Sequence, residues 1–111
     1  MPATRPRKAN GHRWRQVEAR VLAEETHCAL CDEVVDKTLD RMRDPRAAVV
    51  DHDWPLDRGG PEYDRENCLL MHRQCNRWKS TMTLAEALAK RNGTPPPRPV
   101  VISSPGWGPN A

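Results

Sequence analysis

Two pairs of residues have metal-chelating spacing: Cys28-x2-Cys31 and His72-x2-Cys75. Two residues between ligands let a turn, or the start of a helix, aim two donors at one ion, and a Cys3His set is an accepted tetrahedral zinc shell. Four protein ligands close such a shell, so the ion would be structural. The 40 residues between Cys31 and His72 are too many for a simple finger, and the two pairs are expected to bracket a folded insert. Disulfides would be the other use of these thiols, but no export signal favours them. A redox Cys-x-x-Cys would leave the second pair unexplained. Cys68, beside Leu69, Leu70 and Met71, reads as a core thiol, and His27 is a spare ligand next to Cys28.

The insert holds a second chemical signal. Asp51-His52 ends the apolar run that begins at Ala47. Histidine is the side-chain type that ordinarily titrates near neutral pH, which suits His52 to take a proton from water as a general base. Basic residues flank this region. Residues 1–20 carry six basic side chains against Glu18, residues 24–66 carry thirteen acids against six bases, and from Asn67 to Arg91 the balance is basic again. Basic outer segments around an acid-containing centre suit a polyanion bound over a cation site.

The elements that must position these residues follow from periodicity. Trp14, Val17, Val21 and Leu22 recur at helical spacing, predicting a helix from His12 to about Glu25. Val34-Val35 and the run from Ala47 to His52 are strand-like, with a charged loop or single helical turn over residues 36–46 between them. Residues 55–64, with Gly59-Gly60 and Pro61, read as a loop. Residues 67–79 contain no breaker and read as helix, and Thr83 to Lys90 is a second, Ala-rich helix that stops at Gly93.

The chain of 111 residues has 18 Lys+Arg against 15 Asp+Glu, a formal net charge of +3, and 37% hydrophobic residues with no Phe. That length suits one domain, and so few apolar residues make a purely aliphatic core marginal, which calls for a metal or oligomerisation. No run approaches the roughly 20 apolar residues of a membrane span, so a soluble, cytoplasmic protein is expected. The expected organisation is a basic flexible arm over residues 1–11, an α+β domain over residues 12–92, and a Pro-rich tail over residues 93–111 with six prolines.

Five features in order, from Cys28 to Lys79, resemble the HNH endonuclease family, in the branch whose ββα-metal motif is supported by a zinc knuckle. They are the Cys-x-x-Cys, the Asp51-His52 at a strand end, the Pro55-Leu56-x-x-Gly59-Gly60 loop, Asn67 opening a Leu-containing segment, and Cys75-Asn76-x-x-Lys79. The small actinobacterial and phage members of the family look most alike. Three features depart from the usual pattern: His72 stands where most members have Cys, Cys68 follows the Asn where Leu is usual, and the insert from Asp32 to Ala48 is long and acidic. The resemblance implies a catalytic base at His52, Asn67 orienting the loop and that base, and Asp51 and Asn76 as ligands of a Mg²⁺ or Mn²⁺ ion. Hard oxygen donors that leave open positions suit such an ion. Arg58, Arg73, Arg77 and Lys79 would contact phosphates of a DNA substrate. The activity implied is metal-dependent hydrolysis of DNA phosphodiesters; the alternative is a non-catalytic zinc-knuckle DNA-binding or assembly module, such as an accessory to a phage terminase during genome packaging.

Overall fold

A computed structural model describes residues 7–95, with side chains from residue 11. The basic arm's first six residues and the Pro-rich tail from residue 96, both expected to be disordered, lie outside the described residues. The domain is a small α+β unit of three helices and one two-stranded sheet. Helix α1 (Arg7–Glu24) leads to a tight turn, then strand β1 (Ala48–His52), strand β2 (Cys68–His72), helix α2 (Arg73–Lys79) and helix α3 (Leu84–Asn92). Helix α1 begins inside the expected arm, at Arg7. No helix among the described residues is long and apolar enough to cross a membrane.

The strands run antiparallel, pairing Ala48 with His72 at one end and His52 with Cys68 at the other. Residues 67–79, expected as one helix, instead form three pieces: the end of a 3-10 turn (Arg65–Asn67), β2 and α2. A run such as Cys68-Leu69-Leu70-Met71 does not distinguish a buried strand from a buried helix by periodicity. Tertiary pairing decides here: β2 lies between β1 and the elements across its other edge, and Cys68, Leu70, Met71 and His72 are all buried. The outer edge of β2 is closed, because the Leu70 amide donates to Glu25 Oε1 at 3.0 Å and its carbonyl accepts from the Ala29 amide at 2.9 Å. That covers the unpaired backbone groups an edge strand would otherwise present.

The core is correspondingly small. Val17 and Val21 of α1 pack with Cys28, Leu30, Val35, Ala48, Cys68, Leu70, Met71 and Ala87. The expected strand at Val34-Val35 reduces to one isolated bridge between His27 and Val34. Helix α3 has the ends its sequence announces. Thr83 and Glu86 form a reciprocal capping box, and Gly93 closes the helix at φ 71°, a conformation that glycine adopts without strain.

Helix α3 is tied to the loop between the strands by Arg58, whose guanidinium forks onto both Glu86 carboxylate oxygens. The Arg58 hydrogen bond holds the Glu86 carboxyl below its ordinary range, against the opposing effect of burial. Thr83→Ala should cost about 1 kcal/mol in thermal or urea unfolding, as N-cap truncations do. Because the folded-state carboxyl titrates below the unfolded one, the stability Glu86 adds is full above the unfolded range and is lost as pH falls from there through the folded-state range. Melting temperature measured from neutral down to about pH 3 should therefore fall less steeply in Glu86→Gln than in the wild type.

Candidate functional site

The Cys28–Cys31 turn and the β2–α2 junction meet at one point. The ligand atoms of Cys28, Cys31, His72 and Cys75 all lie within 4.8 Å of one another. The turn is built by backbone hydrogen bonds, Cys28 N to Glu33 O at 2.8 Å and Asp32 N to Cys28 O at 2.9 Å. Asp32 takes the left-handed conformation needed just after Cys31, at φ 63°, a region in which Asp is over-represented among non-glycine residues. On the other side His72 is the last residue of β2 and the cap of α2, so Cys75 follows on the first turn of the helix. The chelate spacing of the sequence is thus realised once as a turn and once as a helix start.

The donor set fits a tetrahedral ion. His72 Nε2 lies 3.2 Å from the Val34 carbonyl, which can only accept, so Nε2 carries the proton and Nδ1 presents its lone pair to the cluster. That Nδ1 is 3.3 Å from Cys31 Sγ and 3.9 Å from Cys75 Sγ. A zinc ion with ordinary bond lengths would set such pairs about 3.5 Å apart. Cys28 and Cys75 differ in how readily they ionise. Burial raises the Cys28 thiol, but the amides of Cys31, His72 and Leu30 donate to its sulfur and the balance lowers it to about 7. Cys75 is pushed up to about 12 by burial and by the negative charge of Cys28 and Cys31 beside it, a repulsion a bound cation would reverse. The Cys3His cluster is compatible with a structural zinc site. Cys68 stands apart as the expected core thiol, 1% exposed, donating to Asp64 O and pushed up to about 11 by burial. His27 is exposed and bonded to Thr26, outside the cluster.

Asn67 is wholly buried and works on the loop that leaves β1. Its side-chain oxygen accepts from Trp54 N at 2.9 Å, and its amide nitrogen donates to Trp54 O at 3.1 Å and Pro61 O at 3.0 Å. Its own carbonyl accepts from Asp53 N. Asn67 therefore fixes the loop through these bonds, from a buried position beneath it. Gly60 is required in that loop: a Cβ there would sit 1.8 Å from Trp54 O.

The folded loop reaches His52. The ring Nε2 lies 3.0 Å from Glu62 O, so this nitrogen carries the proton and Nδ1 is left as the basic nitrogen. The Trp14 ring of α1 lies against the imidazole, with centroids 5.2 Å apart and planes tilted by 30°. Neither contact was legible in the sequence, where Trp14 reads only as a position on the apolar face of a helix.

Asp51 and Asn76 come together across β1 and α2. With its amide nitrogen facing the carboxylate, the orientation that satisfies both groups, Asn76 donates to Asp51 Oδ2 at 2.9 Å and to Oδ1 at 3.3 Å. Lys79, one helical turn on, places Nζ 3.0 Å from Asp51 Oδ2 and 2.7 Å from His52 O. The four cations expected on a phosphate-binding face divide. Lys79 is 0% exposed and spent on Asp51, and Arg58 is committed to Glu86 and to the Trp54 ring, 5.3 Å from its centroid. Arg73 is half-buried and Arg77 exposed, and neither is paired with a carboxylate among the described residues.

Cys28→Ser and Cys75→Ser should each lose metal by elemental analysis and melt broadly or precipitate, since a structural zinc contributes on the order of 10 kcal/mol. Cys68→Ala should keep its metal and lose only about 1–2 kcal/mol, the scale of a small core truncation. Asn67→Ala removes the hydrogen bonds to Trp54 N, Trp54 O and Pro61 O and should cost about 2–4 kcal/mol in urea unfolding, with metal content unchanged. Comparison with protein-family models, with characterised proteins and with solved structures finds no match to this chain.

Proposed function

We propose that this chain is an endonuclease of the HNH type, with zinc in the Cys3His cluster supporting a ββα-metal motif formed by β1, β2 and α2. The observation that carries the reading is the meeting of Asp51 and Asn76 next to a His52 whose ring is oriented by a backbone carbonyl. The chain order of β1, β2 and α2 supports it, as does the Asn67 clamp on the loop.

In this mechanism His52 Nδ1 accepts a proton from water, which attacks a DNA phosphodiester. Glu62 O keeps the ring in the required tautomer and stabilises the imidazolium as it forms. Asp51 and the oxygen of a turned Asn76 amide would hold a Mg²⁺ or Mn²⁺ ion, which supplies Lewis acidity and stabilises the leaving oxygen. Arg73 and Arg77 on α2 are the cations left to meet the phosphate strand. A second reading, a catalytically inert zinc-supported DNA-binding or phage-packaging module, draws on one observation: Asp51 is already ion-paired.

A plasmid-nicking assay separates the two. Wild-type protein should nick supercoiled DNA in Mg²⁺ or Mn²⁺, stop on brief EDTA treatment and recover when the ion is restored, with zinc retained throughout. His52→Ala should lower the rate by about 10²- to 10⁴-fold, as loss of a general base does, while fold, zinc content and DNA affinity stay near wild type. DNA binding without nicking under any divalent ion would establish the inert module instead.

A further inference from the structure

Lys79 is the largest fully buried side chain of the described residues, and it lies within one turn of Asn76 on the same helix. A buried ammonium must be paired, and its partners are Asp51 Oδ2 and the His52 carbonyl. Asn76 completes the enclosure by donating to the same carboxylate. Both Asp51 oxygens are therefore occupied by donors from α2, and the one formal negative charge among these side chains is matched by one positive charge.

We propose that Lys79 is an internal counter-ion for Asp51, a positioning residue that keeps the candidate cation site close to neutral until a phosphate group brings negative charge to it. The site's identity as a cation site rests on the nuclease reading above; the charge balance rests on the Lys79 geometry. A divalent ion approaching Asp51 meets an ammonium already in contact with that carboxylate. Mutual repulsion at such distances, in the effective dielectric of a protein, weakens binding by well over tenfold. A substrate phosphate arriving with the ion removes that imbalance, so cation and phosphate are expected to bind cooperatively. The same ammonium holds the last carbonyl of β1, which ties the backbone of the base His52 to the charge state of Asp51.

The test is Mn²⁺ binding to the DNA-free chain, read from the paramagnetic resonance signal of the free ion. Lys79→Gln should tighten Mn²⁺ binding by about tenfold or more, because the repelling charge is gone. Adding Asp51→Asn to Lys79→Gln should abolish the gain. A folded Lys79→Gln chain with wild-type Mn²⁺ affinity overturns the proposal, and if wild-type protein nicks plasmid in that event, the nuclease reading survives it. A tenfold gain in a chain whose wild type never nicks DNA keeps the counter-ion and overturns the nuclease. Should Lys79→Gln fail to fold, the wild-type chain decides: the Lys79 ammonium should give a ¹⁵N signal protected from water exchange, which moves on saturation with Mg²⁺ and in Asp51→Asn. A Lys79 signal indifferent to both overturns the proposal.

Discussion

The convergence of four donor atoms where β2 becomes α2 is the constraint on which the rest of this small domain depends. The core is a handful of Val, Leu, Met and Ala side chains, with Cys28 and Cys68 buried among them. A core of that size leaves little net stability after conformational entropy is subtracted. Bringing Cys28 and Cys31 against His72 and Cys75 joins two segments far apart in sequence, and it fixes both the end of the strand and the start of the helix. Helix α2 is only seven residues long, too short to be stable by its own hydrogen bonds. Its position, and with it the position of Asn76 and Lys79, follows from what is anchored at its first turn.

The second level of organisation is polar. In the loop after β1, Asn67 adds polar anchorage to the burial of Trp54 by bonding to Trp54 and Pro61 from below. Arg58 and Asp53 then carry that order to α3, through Glu86 and through the Leu84 amide. The folded loop in turn presents Glu62 O to His52. The imidazole is thus oriented by a chain of hydrogen bonds that begins at a buried amide.

Legibility in the sequence tracks how local each determinant is. The Cys3His cluster was readable because chelate spacing is a property of four consecutive residues. Helix α3 was readable because its capping box and terminal glycine lie within its own span. Strand β2 was not, because Cys68-Leu69-Leu70-Met71 carries no period and only the partner strand decides its form. Lys79 and Arg58 look in sequence like cations facing a phosphate strand, whereas the fold pairs them with Asp51 and Glu86. One local sign was present for Lys79: it sits three residues after Asn76, and residues so spaced share a helix face. The stacking of Trp14 on His52 has no counterpart in the sequence, since it depends on where α1 crosses the sheet.

The pairing of Ala48 with His72 carries a further consequence. Side chains alternate faces along a strand, so sliding β1 by one residue against β2 would exchange the directions in which Asp51 and His52 point. Burial of Ala48, Leu70 and Met71 opposes such a slip, and so do bonds just beyond the ends of the ribbon. Here His72 belongs at once to the ladder and to the cluster of donors, and Arg73 N continues the ladder by bonding to Ala47 O. The frame of β1 is clamped at both ends: by that bond at one, and at the other by Asp53 N, which bonds to Asn67 O, and by the Lys79 ammonium, which holds the His52 carbonyl. Long insertions between Cys31 and Ala47 leave these clamps untouched, whereas a single residue added inside either strand would misalign them.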